Sequence, residues 1–345
     1  MADATLRLPG FVNAHSHAFQ RALRGRVEHV DPDHPHDDFW TWREAMYQAA
    51  NAIDPDGAYE VALRLYREMV AAGYTAVGEF HYPHHQPGGE PYPDPNAMAK
   101  ATAAAAGDAG IEIVMLMTAY ARAGWGLPPT PGQRRFCDAD VASYLARVDA
   151  LASEMRVGLA PHSVRAVPRD WLERIARHAA DTGMVVHIHA NEQRREVDEC
   201  IEEYGMRPIE LLAEVGLLGP RTTVVHATHV SERELDLLAE TGTTVCACPT
   251  TEANLGDGFP PVQGLCERGI GICIGSDSNV RIDPLEELRE LEGIARRQTL
   301  KRNVIGLSTL LCFGSDEGAA ALGLERWPDV EVDLGHASLA GVPED

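Results

Sequence analysis

The sequence lacks the features of a protein that binds nucleic acid or a membrane. Its 30 Lys and Arg residues are outnumbered by 52 Asp and Glu residues, which gives a formal net charge of −22. Binding to a phosphate backbone or to an anionic lipid surface needs a local surplus of basic residues, and no such stretch is present. No apolar run approaches the roughly 18 residues that a membrane-spanning helix requires. We therefore expect neither nucleic acid nor a membrane among the partners.

Cysteine is scarce, with seven residues in 345, and no secretory leader is evident. Seven scattered cysteines in a chain of this length do not form a disulfide framework. The N-terminus has no basic segment followed by an apolar one, so we expect a cytoplasmic protein. Cys246 and Cys248 alternate along a strand-like run, which puts both side chains on one face. A metal or redox pair is one interpretation, but two small fillers of a buried strand are favoured.

The composition is that of a globular protein, with 45% hydrophobic and 24% charged residues. A length of 345 residues fits two average domains or one large α/β barrel with insertions. Apolar, strand-like runs alternate with amphipathic, helix-like runs along the chain. The strand-like runs are 10–14, 74–80, 111–118, 157–160, 184–188, 222–225, 243–246 and 270–274. The helix-like runs include 54–72, 96–109, 139–155, 168–182 and 231–241.

This alternation predicts an α/β fold, a (β/α)8 TIM-type barrel. A doubly wound open sheet is the alternative, and the lack of a G-x-G-x-x-G turn after the first strand weakens it. Gly73, Gly110 and Gly183 each follow a predicted helix, where a glycine commonly ends one. Ser231 and Glu234 predict a capping box at the start of the 231–241 helix.

Histidine and aspartate residues occur where the predicted strands end. In a parallel barrel the carboxyl ends of the strands meet at one rim, and that rim carries the active site. A single His beside an apolar run is more often a satisfied core residue, but chance would scatter several such residues over both rims. The residues in question are His15 and His17, His162, His189, His226 with His229, and Asp277. Taken together they predict a functional site, whereas His187 is expected to belong to the core or to support the site from behind.

Four of these residues form a predicted metal site. His15 and His17 project to the same side of an extended segment, so both can reach one ion. Together with His189 and Asp277 they supply three imidazole nitrogens and one carboxylate oxygen. Such a set suits Zn²⁺ or Fe²⁺ with a position left for water, and does not suit Mg²⁺.

The near-absence of lysine bears on the number of metal ions. Only Lys100 and Lys301 are present, and neither lies near the end of a predicted strand. A two-metal centre bridged by lysine needs that residue at the end of the fourth strand, where this chain has His162. We therefore predict one divalent ion per chain.

Hydrolysis at such a site also needs a proton carrier. Bound Zn²⁺ lowers the pKa of its water to around 7, and a nearby group must carry a proton to the leaving group. Glu192 follows His189 by three residues, which brings a carboxylate beside the metal without making it a ligand. A surface acid is the less favoured interpretation. His226 is expected to orient the nucleophile or stabilise developing charge, and Asp277 to act as a second base.

These residues resemble the amidohydrolase superfamily, in its mononuclear deaminase branch, and more narrowly the formimidoylglutamate deiminases. The resemblance runs from about residue 10 to residue 322. It is carried by the strings FVNAHSHAFQRALRG, DDFWTWREAMY, EFHYPHH, APHSVRAV, HANEQRREVDEC, VVHATH, CPTTEANLGDG and GSDSNV.

The resemblance implies hydrolysis of N-formimino-L-glutamate to N-formyl-L-glutamate and ammonia, a step of histidine degradation. It implies Zn or Fe on the four ligands above, and proton transfer by Glu192 and His226. The residues implied to hold the substrate carboxylates are Gln20, Arg43, Tyr82, His162 and Arg165. In homologues the counterpart of Arg43 can come from a neighbouring subunit, so we expect a homodimer. The alternatives are another formimino or amidino amino acid, a purine or pyrimidine, and an inactive metal-binding barrel.

The chain departs from this pattern in two respects. The family's small β-sandwich domain is expected to be reduced or absent, which divides the chain into a remnant over 1–10, a barrel over 11–300 and a C-terminal helix with a shortened tail over 301–345. Asn191 and Asn279 stand where relatives usually carry other residues. We expect both to lie near the metal and to shift the substrate preference.

Overall fold

The computed structural model describes residues 5–29 and 38–339. Its strands are β1 (Thr5–Pro9), β2 (Phe11–Ser16), β3 (Tyr74–His81), β4 (Glu112–Ala119), β5 (Val157–Pro161), β6 (Val186–Ala190), β7 (Thr222–His226), β8 (Thr244–Ala247), β9 (Ile272–Ile274) and β10 (Asp329–Asp333). Strands β2 to β9 form one parallel sheet in sequence order. Each of the eight predicted strand-like runs overlaps one of them.

The sheet closes on itself at its carboxyl rim. A parallel bridge joins Ser16 at the end of β2 to Asp277 just after β9. His17 N donates to Asp277 O at 3.0 Å, and Asp277 N donates to His15 O at 3.0 Å. The predicted (β/α)8 barrel is thus confirmed, and its closing hydrogen bonds lie among the predicted metal ligands.

The helices cover the outside of the barrel and extend its loops. They are α1 (Phe39–Asn51), α2 (Pro55–Ala71), α3 (Ala97–Ala109), α4 (Val141–Ala152), α5 (Arg169–Thr182), α6 (Arg194–Tyr204), α7 (Pro208–Glu214), α8 (Glu232–Thr241), α9 (Pro249–Leu255), α10 (Val262–Glu267), α11 (Pro284–Thr299), α12 (Leu307–Gly314) and α13 (Asp316–Ala321), with 3-10 helices at Ala18–Leu23, Pro131–Phe136 and Ala337–Leu339. The five predicted helices match α2, α3, α4, α5 and α8. None of the helices in the described ranges is both long and apolar enough to cross a bilayer.

Local sequence explains where these helices begin, end and pack. The predicted capping box at α8 is present, because Ser231 Oγ accepts from Glu234 N. Gly110 and Gly183 end α3 and α5 with φ of 79° and 69°, a backbone region that glycine adopts without strain. The barrel strands β2 to β9 are buried on both faces, which accounts for their almost continuous apolar sequence.

The chain ends meet outside the barrel. Strands β1 and β10 pair antiparallel and form a mostly exposed two-stranded ribbon. Among the described residues, this ribbon stands where the family's β-sandwich domain was expected to be reduced or absent. Gly10 sits at the junction, where a Cβ would lie 2.3 Å from Pro328 O. Helices α12 and α13 lie against the barrel wall, and Ala321 O accepts a hydrogen bond from His187 Nε2 at 2.9 Å. The predicted division of the chain into three segments stays a prediction.

Candidate active site

One cavity opens at the carboxyl rim of the barrel. All of the predicted site residues line it except His15, which lies beside His17 and His189 at the end of β2. The lining residues among them are His17, Gln20, Arg43, Tyr82, His162, Arg165, His189, Glu192, His226 and Asp277. The strands supply most of them at their carboxyl ends, and Arg43 comes from α1 of the same chain.

The four predicted metal ligands form a tight, buried cluster. His15 Nε2 lies 3.1 Å from both His17 Nε2 and His189 Nε2. Asp277 Oδ1 lies 3.1 Å from His17 Nε2 and 3.4 Å from His15 Nε2. Bonds of about 2.0–2.2 Å from four ligands to one ion would leave the ligand atoms roughly 3.0–3.6 Å apart. The spacing of the cluster therefore matches a single small cation.

Hydrogen bonds to backbone carbonyl groups use the N–H groups of two imidazoles on the outside of the cluster. His17 Nδ1 donates to Phe80 O at 2.8 Å, and His189 Nδ1 donates to His162 O at 2.8 Å. A neutral imidazole holds one N–H, so both Nε2 atoms present lone pairs to the cluster. Burial lowers the pKa of His15 to about 3, so His15 is also neutral.

A neutral His15 offers at most one proton to three acceptors, namely two imidazole nitrogens and a carboxylate oxygen. Buried acceptors without donors are costly, and a divalent cation removes that cost. The three nitrogens and one oxygen fit zinc or ferrous iron better than a hard cation. The donor set thus fits the metal that the sequence predicted.

Glu192 and His226 lie together beside the histidine cluster, and the His226 ring stacks on His189 at 5.6 Å. Glu192 Oε1 is 3.6 Å from His226 Nε2, and Asp277 Oδ2 is 3.9 Å from the same nitrogen. Burial raises the pKa of the Glu192 carboxyl, which His226 partly opposes. Burial lowers the pKa of His226, but the carboxylates of Glu192, Glu252 and Asp277 outweigh it and raise that pKa to about 10. This pair can hold and move a proton beside the cluster.

Sequence reasoning missed Glu252, which contacts the other nitrogen of His226. Glu252 is 1% exposed, and its Oε1 lies 3.3 Å from His226 Nδ1. The same oxygen accepts from Cys248 N at 2.8 Å, which fixes it against the end of β8. A carboxylate on Nδ1 orients the imidazole so that Nε2 faces Glu192. The signal available in the sequence was an acid four residues after Cys248, at a strand end.

Arg43 and Arg165 present unpaired N–H groups to the cavity. Within the described residues, Arg43 Nε and NH1 and Arg165 NH1 are buried and have no hydrogen-bond partner. The ring of Trp40 lies under both guanidinium groups, 4.6 Å from that of Arg43 and 5.5 Å from that of Arg165. Buried guanidinium donors without acceptors are costly unless a ligand pairs with them. They mark the part of the cavity where an anionic group would bind.

The other three predicted substrate residues lie between this anion-binding part and the histidine cluster. Gln20 Nε2 donates to Tyr82 OH at 2.9 Å, while Gln20 Oε1 is buried without a partner in the described chain. The His162 ring packs against Tyr82 at 5.5 Å and against His189 at 4.9 Å. Polar groups thus connect the two ends of the cavity.

Neither Asn191 nor Asn279 lines the cavity, and the predicted shift in substrate preference stays a prediction. Asn279 does lie beside two of the predicted metal ligands, as expected. Asn191 Nδ2 donates to His229 O at 3.0 Å and to Glu234 Oε1 at 2.9 Å. Asn279 Nδ2 donates to His17 O at 2.9 Å and to Asp277 O at 3.0 Å. Both have positive φ, 58° and 61°, a conformation that Asn tolerates and that turns its side chain onto nearby backbone. They brace the loops that carry the site.

The buried cysteines pack as the favoured interpretation expects. Cys246, Cys248 and Cys273 are fully buried together beside Ala14 and Val225. Burial raises the pKa of the Cys248 thiol well above its usual value, which keeps it protonated. Its Sγ also lies within 4.8 Å of ligand atoms of His226 and Asp277, so it borders the site.

A parallel (β/α)8 barrel with a three-histidine, one-aspartate cluster and a buried Glu–His pair at its carboxyl rim has the architecture of a hydrolase. Residues 6–327 match the model of the amidohydrolase family, and the chain belongs to that family. This confirms the predicted resemblance and the predicted enzyme class.

Individual relatives are also informative. Formimidoylglutamate deiminase of Pseudomonas aeruginosa is 41% identical over 302 residues, covering 86% of this chain, and the chain spans 66% of that protein's length. A 5-methylthioadenosine/S-adenosylhomocysteine deaminase of Halobacterium salinarum is 30% identical, and the match covers 100% of this chain and 74% of that protein's length.

Solved structures agree with the fold. An amidohydrolase from Brucella melitensis has a TM-score of 0.83 at 39% identity, with 92% of this chain and 72% of that chain covered. An adenosine deaminase from Xanthomonas campestris with bound zinc has a TM-score of 0.82 at 25% identity, with 98% and 74% covered.

Proposed function

We propose that this chain is a zinc-dependent deiminase that hydrolyses N-formimino-L-glutamate to N-formyl-L-glutamate and ammonia. The observation that carries the proposal is the pair of buried, unpaired guanidinium groups of Arg43 and Arg165 in the same cavity as the metal-type cluster. An amino acid with two carboxylates supplies the acceptors that these donors lack. Similarity to the Pseudomonas deiminase supports the same substrate.

The residues that would hold the ion are His15, His17, His189 and Asp277. When bound, zinc supplies Lewis-acid activation of a water nucleophile at neutral pH, and ferrous iron is the alternative that the ligands allow. Phe80 O and His162 O hold two of the imidazoles with their Nε2 atoms directed at the ion. This support keeps the ligands neutral and oriented.

Glu192 is the proposed proton carrier, and His226 and Asp277 assist it. Glu192 is 8% exposed, and a carboxyl with a raised pKa is suited to take a proton and then deliver it to the departing nitrogen. His226, protonated and held by Glu252, stabilises negative charge that develops beside Nε2. Asp277 Oδ2, on the side of that residue facing His226, is available as a second base.

The alternative substrate is a purine nucleoside, which the halobacterial relatives suggest by their names. 5-Methylthioadenosine brings no carboxylate and S-adenosylhomocysteine brings only one, so both pair with fewer of the buried arginine donors than a dicarboxylate does. The cavity wall near the arginines does contain Phe39 and Trp42, which offer aromatic surface. The arginines favour the amino acid substrate, because unpaired buried cations are costlier than unused apolar surface.

Ammonia release separates these possibilities. Protein of known zinc content is incubated with N-formimino-L-glutamate, N-formimino-L-aspartate and 5-methylthioadenosine in separate assays. We expect turnover of the first at an ordinary enzyme rate, on the order of 1–1,000 per second. Preferential turnover of the aspartate compound or of the nucleoside would replace the proposed substrate. No turnover of any of them by zinc-loaded protein would favour an inactive metal-binding barrel.

We further propose a cytoplasmic homodimer, as the sequence suggested. Arg43 of the same chain already lines the cavity, so its guanidinium does not require a second copy. Light scattering of the purified protein tests the oligomeric state, and a monomer mass would contradict this part of the proposal.

A further inference from the structure

Tyr47 stands one helical turn after Arg43 on α1, and its hydroxyl belongs to a small buried network. Gln133 Nε2 donates to Tyr47 OH at 2.9 Å and to Tyr120 OH at 2.8 Å. The two hydroxyl oxygens are 3.3 Å apart. Gln133 Oε1 accepts from Thr130 N at 2.9 Å, which fixes the orientation of the amide. Gln133 can therefore only donate to both tyrosines.

The count of protons in this network leaves one hydroxyl hydrogen unused. Each tyrosine accepts from Gln133 and has one proton to give. The contact between the hydroxyls uses one of these protons, so the other must find an acceptor outside the network. Tyr120 is 1% exposed and does not line the cavity, whereas Tyr47 does. The geometry allows either hydroxyl to donate to the other, and the cost of a buried donor without an acceptor favours the arrangement in which Tyr120 donates to Tyr47 and the Tyr47 proton faces the cavity.

The surroundings of that proton are cationic. The guanidinium carbon of Arg43 lies 5.6 Å from the centre of the Tyr47 ring, and Arg43 and Tyr47 are four residues apart, on the same face of α1. Arg165 lines the same cavity with an unpaired NH1. A hydroxyl donor beside two guanidinium groups matches a carboxylate, which accepts several hydrogen bonds at once.

We propose that Tyr47 is a substrate-binding residue that donates its hydroxyl proton to one carboxylate of the substrate and so selects dicarboxylates over monocarboxylates. This rests on the proposed function for the identity of the substrate, but the carboxylate contact itself does not. Gln133 is a positioning residue, since it donates to the Tyr47 hydroxyl without reaching the ligand, and this hydrogen bond does not depend on the Tyr120 hydroxyl.

Kinetics of the Tyr47→Phe and Tyr120→Phe variants, both zinc-loaded, test this contact. The substrates are N-formimino-L-glutamate and two analogues, one without the α-carboxylate and one without the side-chain carboxylate. Tyr47→Phe should raise KM for the dicarboxylate by roughly tenfold or more, the worth of a hydrogen bond to a charged group, with a much smaller change in kcat. It should leave KM nearly unchanged for the analogue that lacks the contacted carboxylate.

Tyr120→Phe is the matched control, because it removes a hydroxyl of the same network that does not face the cavity. We expect its KM for all three substrates within about threefold of wild type, since less than 1 kcal/mol is at stake. Equal losses on all substrates for Tyr47→Phe, or a larger loss for Tyr120→Phe, would overturn the proposal. Zinc content and thermal melts identify a variant that is merely misfolded.

Calorimetric titration with glutarate separates failure of this contact from failure of the proposed function. If wild type turns over no formimino compound but binds glutarate about tenfold more tightly than Tyr47→Phe, the proposed function fails and the contact stands. Equal binding of glutarate by the two proteins, or no binding by either, overturns the contact.

Discussion

At the scale of single residues, spacing along the chain correctly predicted which residues form the metal-type cluster. It did not predict how the residues beside that cluster are oriented. His15 and His17 share a face of an extended segment, so their convergence follows from the strand period. Asn191 and Asn279 are as close in sequence to a ligand, yet positive φ turns both onto backbone groups. The positions of Tyr47 and Glu252 in the site depend on contacts between distant parts of the chain. No local sequence pattern indicates such contacts.

Glu192 provides the sharpest residue-scale prediction. Glu192→Gln preserves the shape of the side chain but removes its ability to carry a proton. We expect zinc content to be unchanged and kcat to fall by about two or more orders of magnitude, the usual worth of a positioned acid–base group. Steady-state ammonia release with metal analysis of the same samples measures both quantities.

Glu196→Gln is the matched control for that variant. Glu196 is a buried acid four residues further on, its Oε2 accepts from Glu192 N at 3.1 Å, and it does not line the cavity. Glutamine keeps that accepting oxygen, so kcat should stay within about tenfold of wild type. Wild-type turnover by Glu192→Gln, or an equal loss in both variants, would refute the role assigned to Glu192.

At the scale of secondary structure, the sequence predicted the strands of the barrel correctly, because a buried strand has a recognisable run of apolar residues. The barrel strands are short, apolar and bounded by glycine or polar turns, and the sequence located all eight. Helix α1 was not predicted, although it carries Arg43 and Tyr47. Its buried residues Phe39, Trp42, Met46 and Ala50 do follow the three-to-four spacing of a surface helix, so this signal was present in the sequence and was missed. The pairing of β1 with β10 joins residues more than 300 positions apart, which no local pattern reveals.

The contact between α9 and α11 provides a prediction about pH at this scale. Glu287 on α11 is fully buried and lies against Thr250 on α9, where its Oε2 accepts from Thr250 N at 3.0 Å. Burial raises the pKa of Glu287 to about 8. The folded protein therefore keeps a proton that the unfolded chain releases above its ordinary carboxyl pKa near 4.5. Stability due to this group is present below about pH 4.5 and is lost as the pH rises towards 8.

Glu287→Gln removes this titration, and its amide oxygen can still accept from Thr250 N while its amide nitrogen donates to Thr250 Oγ1. Between pH 5 and pH 8 we expect wild type to lose stability relative to the variant by a few kcal/mol, at about 1.36 kcal/mol per pH unit. Denaturant unfolding at the two pH values measures the difference, and titrations elsewhere cancel between the proteins. Glu290→Gln, at a partly exposed acid of the same helix, should show no such difference. A constant gap between wild type and Glu287→Gln at both pH values would contradict the assignment.

At the scale of the whole molecule, the metal-type cluster lies on the seam that closes the barrel. The hydrogen bonds between His15, His17 and Asp277 join the first and last strands of the sheet. Helix α13 packs against β2 and β9, the two strands that meet at this seam. An ion held by the cluster would therefore tie together segments that are 260 residues apart in the chain. We infer that metal binding and closure of the barrel are coupled.

This coupling predicts how the intact protein responds to metal removal. Chelation should leave three lone-pair donors and a carboxylate facing one another, which destabilises the closed seam. Zinc added back at about 100 times its dissociation constant should stabilise the protein by about 2.7 kcal/mol, or roughly 4 °C in Tm. Mg²⁺ at the same concentration should have little effect, because the ligands are mainly imidazoles.

The His189→Ala variant and hydrogen exchange test where zinc acts. In His189→Ala the zinc-dependent increase in Tm should disappear. In wild type, hydrogen exchange should show that zinc binding increases the protection of β2 and β9. An undiminished increase in His189→Ala, or protection confined to segments away from β2 and β9, would mean that zinc stabilises the protein from another site.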